Sequence, residues 1–437
     1  MISNQKNPLL SVISAQKHGI AAGIYSICSS NRYVLQAAML KAKNDNASLL
    51  IEATSNQVNQ FGGYTGMNPS QFIGYVKAIA EETDYLFEKV TLGGDHLGPN
   101  AWRNENAETA MIKARDLIHD YVAAGFSKIH LDASMPCADD CLPLADEIIA
   151  ERSANLCEAA ESVFTKKKSG FPALLYVIGT EVPTPGGETE EVSEPHITKA
   201  DDVDRIISVT KEAFIAHGLH SAWERVTAVV VQPGVEFSVH SVIDYDREKA
   251  SQLSRKIESY NNLLYEVHST DYQARKALKE MVEDHFAILK VGPWLTFALR
   301  EAVFALADIE NEWLGERKTV HISDIRNVIE EVMCEDPKYW KMYYHGDEAE
   351  VSFARKYSYS DRIRYYWHYP KIQSTLEILL TNLSGEPIPL SLLSRYFPSR
   401  YEAVREKRIR STPGDLIQDK IIDIIDKYAF ACGTLKG

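Results

Sequence analysis

The chain is short of everything that would send it to a membrane or a nucleic acid. Across 437 residues no apolar run approaches the ~20 residues that cross a bilayer, and no basic-then-apolar signal pattern opens the sequence. Cysteine is scarce, six in all. Cys137 and Cys141 stand four apart, but no second pair completes a structural zinc site, so they read as free thiols of a reducing compartment. A cytoplasmic location is expected. Positive charge is in deficit: the formal net charge of −14 argues against nucleic-acid and anionic-membrane partners. Any anionic ligand must then be held by a local pocket of backbone N–H groups and a few cations. No GxGxxG opens a helix after a strand, and no GxxxxGK(S/T) loop occurs, so neither a nicotinamide nor ATP is expected as cofactor. A Gly/Ser-rich linker is also missing, which excludes a freely tethered second domain.

What is present is an ordinary globular composition, 45% hydrophobic and 25% charged, laid out as a repeating pattern. Its clearest unit is Val90–Trp102, Val-Thr-Leu-Gly-Gly-Asp-His-Leu-Gly-Pro-Asn-Ala-Trp. A short apolar run stops at Asp95-His96, Gly98-Pro99-Asn100 turns the chain, and helix-forming sequence follows. The plain alternative is a turn with a capping Asp and a surface His. Against it, the arrangement recurs: apolar strands begin near Gly23, Ser48, Val90, Lys128, Ala173, Val226, Leu264 and Phe286, each followed by helical periodicity. Eight such repeats predict an α/β fold, a (β/α)8 TIM barrel over residues 1–314 with a short N-terminal lead-in. Residues 315–437 read as a helical C-terminal extension packed on it.

In a barrel the C-terminal strand ends converge on one mouth. Those ends carry Glu52, Asp95, His96, Asp132, Glu181, Gln232, Glu236, His268, Asp271 and Lys290. So many carboxylates need a balancing cation. His96 and His268, with Glu181 or Asp132, form the mixed N/O set that Zn²⁺ or Mn²⁺ accepts. Asp95 and Glu181 are the candidate acid/base pair, and Glu52, Gln232, Glu236 and Asp271 the candidate substrate contacts. Ser269, Thr270, Lys290 and Gly292 lie after strands seven and eight, where barrels commonly bind phosphate. Lys290 reads equally as a lysine paired to a rim carboxylate. Arg362 and Arg364 are further cations, with a solvated helix face the leading reading, and Tyr365-Tyr366-Trp367 reads as packing rather than a sugar platform.

Several stretches resemble a known family: Ile51–Gly66, Gly93–Asn100, Ile178–Pro183, Val231–Phe237, His268–Gln273, Phe286–Pro293 and Tyr357–Trp367. The chain resembles, end to end, the Z-type subunit of class II tagatose-1,6-bisphosphate aldolase, of galactitol and N-acetylgalactosamine catabolism. The resemblance implies a class II aldolase barrel acting as a non-catalytic partner that supports the stability and activity of a Y-type aldolase subunit. It also implies a ketose phosphate as ligand and leaves a homo-oligomer open. Other relatives are similar to ketose-6-phosphate 4-epimerases, so an alternative is a metal-dependent interconversion of tagatose 6-phosphate and fructose 6-phosphate by retro-aldol chemistry. Asp95-His96 and His268 resemble the acid-plus-metal-ligand pair and a second metal histidine of catalytic class II aldolases. Where those enzymes have a further histidine after strand six, this chain has Gln232-Pro233-Gly234.

Overall fold

In the computed structural model, residues 7–166, 172–179 and 196–434 are described. Among them, parallel strands close a barrel in the order β1-β8-β7-β6-β5-β4-β3-β2. The strands are β1 Ile24–Ile27, β2 Leu49–Thr54, β3 Val90–Leu97, β4 Lys128–Leu131, β5 Leu175–Ile178, β6 Val226–Val230, β7 Leu264–Val267 and β8 Phe286–Val291. All eight lie where the repeats predict them. The local signals around them hold too. Asn68 caps the helix Pro69–Glu82 in a reciprocal pair with Gln71, and Gly125, at φ +121°, ends Ala107–Ala124. Outside the barrel, a short antiparallel hairpin pairs Glu236–Phe237 with Val242–Ile243, and a single bridge joins Ile197 to Pro233.

The two faces of the strands do different work. One face, with the surrounding helices, forms the main core. The other points into the barrel, where Ile24, Leu50, Leu175, Ala228, Leu264 and Ile288 form a separate apolar layer. The helix Pro8–Lys17 plugs this layer by burying Leu9 and Val12 against it. Burial of each such side chain contributes about 1.5–3 kcal/mol. Residues two further along the same strands face the same interior; there Val177 and Val230 stay apolar, while Glu52, Glu266 and Lys290 turn the layer ionic.

Two glycines let the strands approach closely enough for this. A Cβ on Gly98 would stand 1.6 Å from the Asp132 carbonyl oxygen, and one on Gly93 would stand 2.8 Å from Glu52 Cγ. No side chain fits the first, and the second makes room for a buried glutamate.

After Leu314 the chain is helical, with Ile325–Glu335, Glu348–Tyr357, Pro370–Ser384, Leu390–Tyr396 and Pro413–Ala431 as its longer helices. The last of these packs among the helices Arg32–Asn44, Arg275–Glu283 and Pro293–Leu314 of the barrel. Its end is tied to the first strand by Gly23 N–H donating to the Cys432 carbonyl at 3.1 Å. No described helix is long and apolar enough to cross a membrane.

Candidate functional site

The mouth is a cavity of about 100 Å³ lined by Cys28, Asp95, His96, His268, Ser269 and Lys290 among others. It adjoins a larger cavity of about 520 Å³, with Cys28, Gln57, Tyr64, Gly292 and Arg364 lining both. Two mouth residues have left-handed backbone, His96 at φ +49° and Ser269 at φ +54°. Non-glycine residues adopt that conformation at a cost in strain, and such positions gather at functional sites.

Beneath the mouth, an ionic layer fills the barrel. Lys128 Nζ lies 2.9 and 2.8 Å from the two Glu52 oxygens and 2.6 Å from Glu266 Oε2, with all three side chains fully buried. Ser26 Oγ donates to Glu52 Oε1 at 2.8 Å. Lys290 Nζ bridges upward, 2.9 Å from Glu52 Oε2, 3.0 Å from Asp95 Oδ1 and 3.6 Å from Glu266 Oε1. Above Asp95 stand three imidazoles, His96, His130 and His268, with ring centroids 4.7–5.5 Å apart.

These neighbours divide the titration of the site. Burial works against an ionised Asp95, but Lys290, His96 and His268 outweigh it and hold the carboxyl well below the usual range. Burial pulls His268 down to about 4, so it is neutral at pH 7. Burial also acts on His96, yet Asp95 and Asp132 raise it above its usual value.

Asp95, His130, Glu266 and His268 each offer a ligand atom, all within 4.8 Å of one another, and this buried group could hold a metal ion. His130 Nε2 is buried with no hydrogen-bond partner among the described residues. Imidazole nitrogens beside carboxylate oxygens are a donor set that fits a divalent transition metal.

The group differs from the one expected, sharing only His268 with it. His96 Nδ1 lies 2.9 Å from Asp132 Oδ2, and Ser134 donates to Asp132 Oδ1 from its N–H and hydroxyl. Asp132 therefore stands behind His96 as its orienting carboxylate. Glu181 lies outside the described residues. His130 and Glu266 were missed, although alternation marks them: Lys128 and His130 in β4, and Glu266 and His268 at the end of β7, recur with the period of one strand face.

Of the expected phosphate set, Ser269, Lys290 and Gly292 line the mouth, but most of its groups are engaged within the chain. Asp271 fills the slot at the start of the helix Pro293–Leu314, its Oδ1 accepting from the N–H groups of Gly292 at 3.1 Å and Trp294 at 2.8 Å. Thr270 Oγ1 donates to the Lys290 carbonyl at 2.5 Å and meets the Tyr428 hydroxyl at 3.1 Å. Lys290 is enclosed by carboxylates, and only Ser269 of the four turns a side chain free of these ties toward the mouth. Of the other expected substrate contacts, Asp271 lines the mouth, while Glu52, Gln232 and Glu236 are not in its lining. Glu52 is sealed in the ionic layer with both oxygens occupied, and Asp271 is the helix cap just described. Gln232 is pinned by backbone bonds of 2.8 Å to Thr198. Glu236 Oε1 accepts from Phe237 N–H at 2.9 Å in the hairpin.

Of Arg362 and Arg364, expected on a solvated face, the first is buried and the second half-buried; Arg364 lines the mouth and donates to the Tyr365 hydroxyl at 2.9 Å. Tyr366 and Trp367 pack in the core as expected.

The sequence and the fold have counterparts. A protein described as D-tagatose-1,6-bisphosphate aldolase subunit GatZ, from Escherichia coli O1:K1, is 50% identical over 421 residues, 96% of this chain and 99% of that protein. The protein of the same description from E. coli strain SE11 is 49% identical over the same extent. A crystal structure of a probable tagatose 6 phosphate kinase from Sinorhizobium meliloti 1021 superposes with a TM-score of 0.86 at 42% identity, covering 94% of this chain and 100% of that one. The family model for D-tagatose-1,6-bisphosphate aldolase subunit GatZ/KbaZ-like proteins matches residues 9–433. With that match running nearly the whole length of the barrel and its extension, the chain belongs to the GatZ/KbaZ-like family.

Proposed function

We propose that this chain is the accessory subunit of a D-tagatose-1,6-bisphosphate aldolase, stabilising a catalytic Y-type subunit and raising its activity in the breakdown of galactitol or N-acetylgalactosamine. The observation that carries this reading is the near full-length identity of about half to proteins named as that subunit. The epimerase alternative draws less support. Its proposed acid/base Asp95 is held as a carboxylate against Lys290, a poor state for exchanging protons near neutral pH. The named relatives also carry the subunit description.

We further propose that the mouth takes a ketose phosphate, with Arg364 and Ser269 facing its anionic end, and that Asp95, His130, Glu266 and His268 hold one Zn²⁺ or Mn²⁺. Such an ion, when bound, would polarise a carbonyl oxygen. The chain's own residues shape the surroundings of that group: Asp132 orients the neighbouring His96, and Lys290 neutralises the excess of carboxylate. The outer barrel surface or the extension meets the partner subunit, which leaves the mouth open.

The test is reconstitution. The purified chain is added to a Y-type subunit, and cleavage of tagatose 1,6-bisphosphate and its half-life on incubation are followed. Both should rise with the chain present. Unchanged activity and half-life would overturn the accessory role, and turnover of tagatose 6-phosphate by the chain alone would restore the epimerase.

A further inference from the structure

Among the described residues, the buried arginines are paired with carboxylates, with one exception. Arg300 Nε lies 3.1 Å from Asp361 Oδ1, Arg355 Nη2 lies 2.5 Å from Glu330 Oε1, and Arg400 Nε lies 2.8 Å from Asp419 Oδ2. Arg362, only 3% exposed, has no such neighbour. Its Nε and Nη2 are buried and make no hydrogen bond among the described residues. What it does contact is aromatic: its guanidinium carbon stands 3.2 Å from the Tyr343 ring centroid and 5.6 Å from that of Tyr365. A ring face attracts a cation but does not replace a counter-ion or satisfy N–H donors lying in its plane. A buried guanidinium left in that state is destabilising, which calls for something to complete it.

Arg362 lines a cavity of about 430 Å³ between the loop after β2, the turn after β3 and the extension. That size is within the range of small-molecule sites. Trp102, Phe61 and Tyr339 form its apolar walls, and Lys338, also in the lining, is already paired with Asp336 at 2.8 Å. No carboxylate is among the described residues lining it, in a chain whose net charge is −14. Among the described lining residues, Arg362 is therefore the cation left without a carboxylate. The cavity is also distinct from the barrel mouth. Tyr64 and Tyr365, meeting edge to face at 4.9 Å between centroids, line both spaces and stand as the partition.

We propose that this cavity is a second ligand site, for a small organic anion that places one phosphate or carboxylate on Arg362 and lays a flat ring against Trp102 and Tyr339. The planar guanidinium offers a two-pronged set of donors matched to either anion. The rings supply the apolar contact that a simple inorganic ion would waste.

The test uses the full-length chain and a minimal probe, phenyl phosphate, with inorganic phosphate and phenol as its two halves and benzoate as the carboxylate counterpart. Binding is followed by calorimetry. Phenyl phosphate or benzoate should bind saturably and about tenfold or more tighter than either half; which of the two binds better identifies the anion. Arg362→Gln should weaken that binding about tenfold or more, without lowering the thermal midpoint of the ligand-free protein, because the substitution removes a buried unpaired charge. Trp102→Leu, at the partly exposed wall, supplies an independent check should the arginine variant not fold, and should weaken the ring-bearing probe while leaving inorganic phosphate unchanged. Absence of saturable binding of both ring-bearing probes overturns the proposal. So does binding that neither substitution alters, which would place the probe in the mouth.

Discussion

Lys290 is one ammonium among Glu52, Asp95 and Glu266, 3.0 Å from Asp95 Oδ1. A divalent cation held by Asp95, His130, Glu266 and His268 would share two of those carboxylates with it. Lys290→Met removes the ammonium and leaves carboxylates in want of a cation. The variant should bind Zn²⁺ or Mn²⁺ about tenfold or more tighter than wild type, as read by titration against a competing chelator; equal or weaker binding would remove these four residues as the metal site. Asp271 offers a second test. Burial raises its carboxyl to about 6, against the opposing pull of the Trp294 and Gly292 N–H groups. A carboxyl with a raised folded-state value holds its proton more tightly folded than unfolded, so this residue's contribution to stability grows as pH falls from about 6 toward 4. His268 runs the other way, since its lowered value makes stability fall as pH drops from about 6.5 toward 4. The comparison that isolates Asp271 is therefore between wild type and Asp271→Asn, which keeps the acceptor for both N–H groups. Its thermal midpoint should exceed wild type by the largest margin above pH ~7, with the margin closing on acidification. A constant margin across pH would refute the buried-charge account.

At the scale of the strand, one interior face passes from Leu50 to Glu52, and from Lys128 to His130. That change places a charged floor under the mouth. Lys128→Met strips one cation from between Glu52 and Glu266, and unfolding by urea should show a loss of about 3–5 kcal/mol, the penalty of an uncompensated buried charge. A loss under about 1 kcal/mol would mean that Lys290 alone balances the layer. This floor also explains what could and could not be read from sequence. Strand positions were legible because each is a short apolar run bounded by turn residues, and the run ends supplied Asp95, His96, His268 and Ser269 at the mouth. Reading only the ends, however, hid His130 and Glu266, which lie inside their strands and reach the site by alternation. Ser269, Thr270 and Gly292 sat where a barrel presents anion-binding groups. What sequence could not disclose is that Asp271 folds back to take the free N–H groups itself. Arg364 was hidden for a related reason: its neighbours Ser360 and Asp361 look solvated in sequence, and tertiary packing buries them.

At the scale of the whole molecule, the extension behaves as part of the barrel's wall. We propose that residues 315–437 do not fold or detach as a separate unit. Removing the helix Pro413–Ala431 would uncover the barrel surface against which Leu416, Ile417, Ile421 and Ile425 are buried. Four side chains at about 1.5–3 kcal/mol each come to roughly 6–12 kcal/mol, comparable to the entire stability of a typical domain. A chain ending at residue 412 should be insoluble or lack a cooperative thermal transition; a soluble truncation that melts like wild type would show that the barrel is self-sufficient. The Gly23–Cys432 hydrogen bond carries one more consequence. It brings the stretches near both chain ends together at the base of the barrel, on the side away from the mouth. Gly23 precedes the first strand and Cys432 follows the last helix, so one pair of residues holds the barrel's first strand to the end of the extension. The polypeptide is in this sense latched, its opening strand and its closing helix holding each other across nearly the whole length of the sequence.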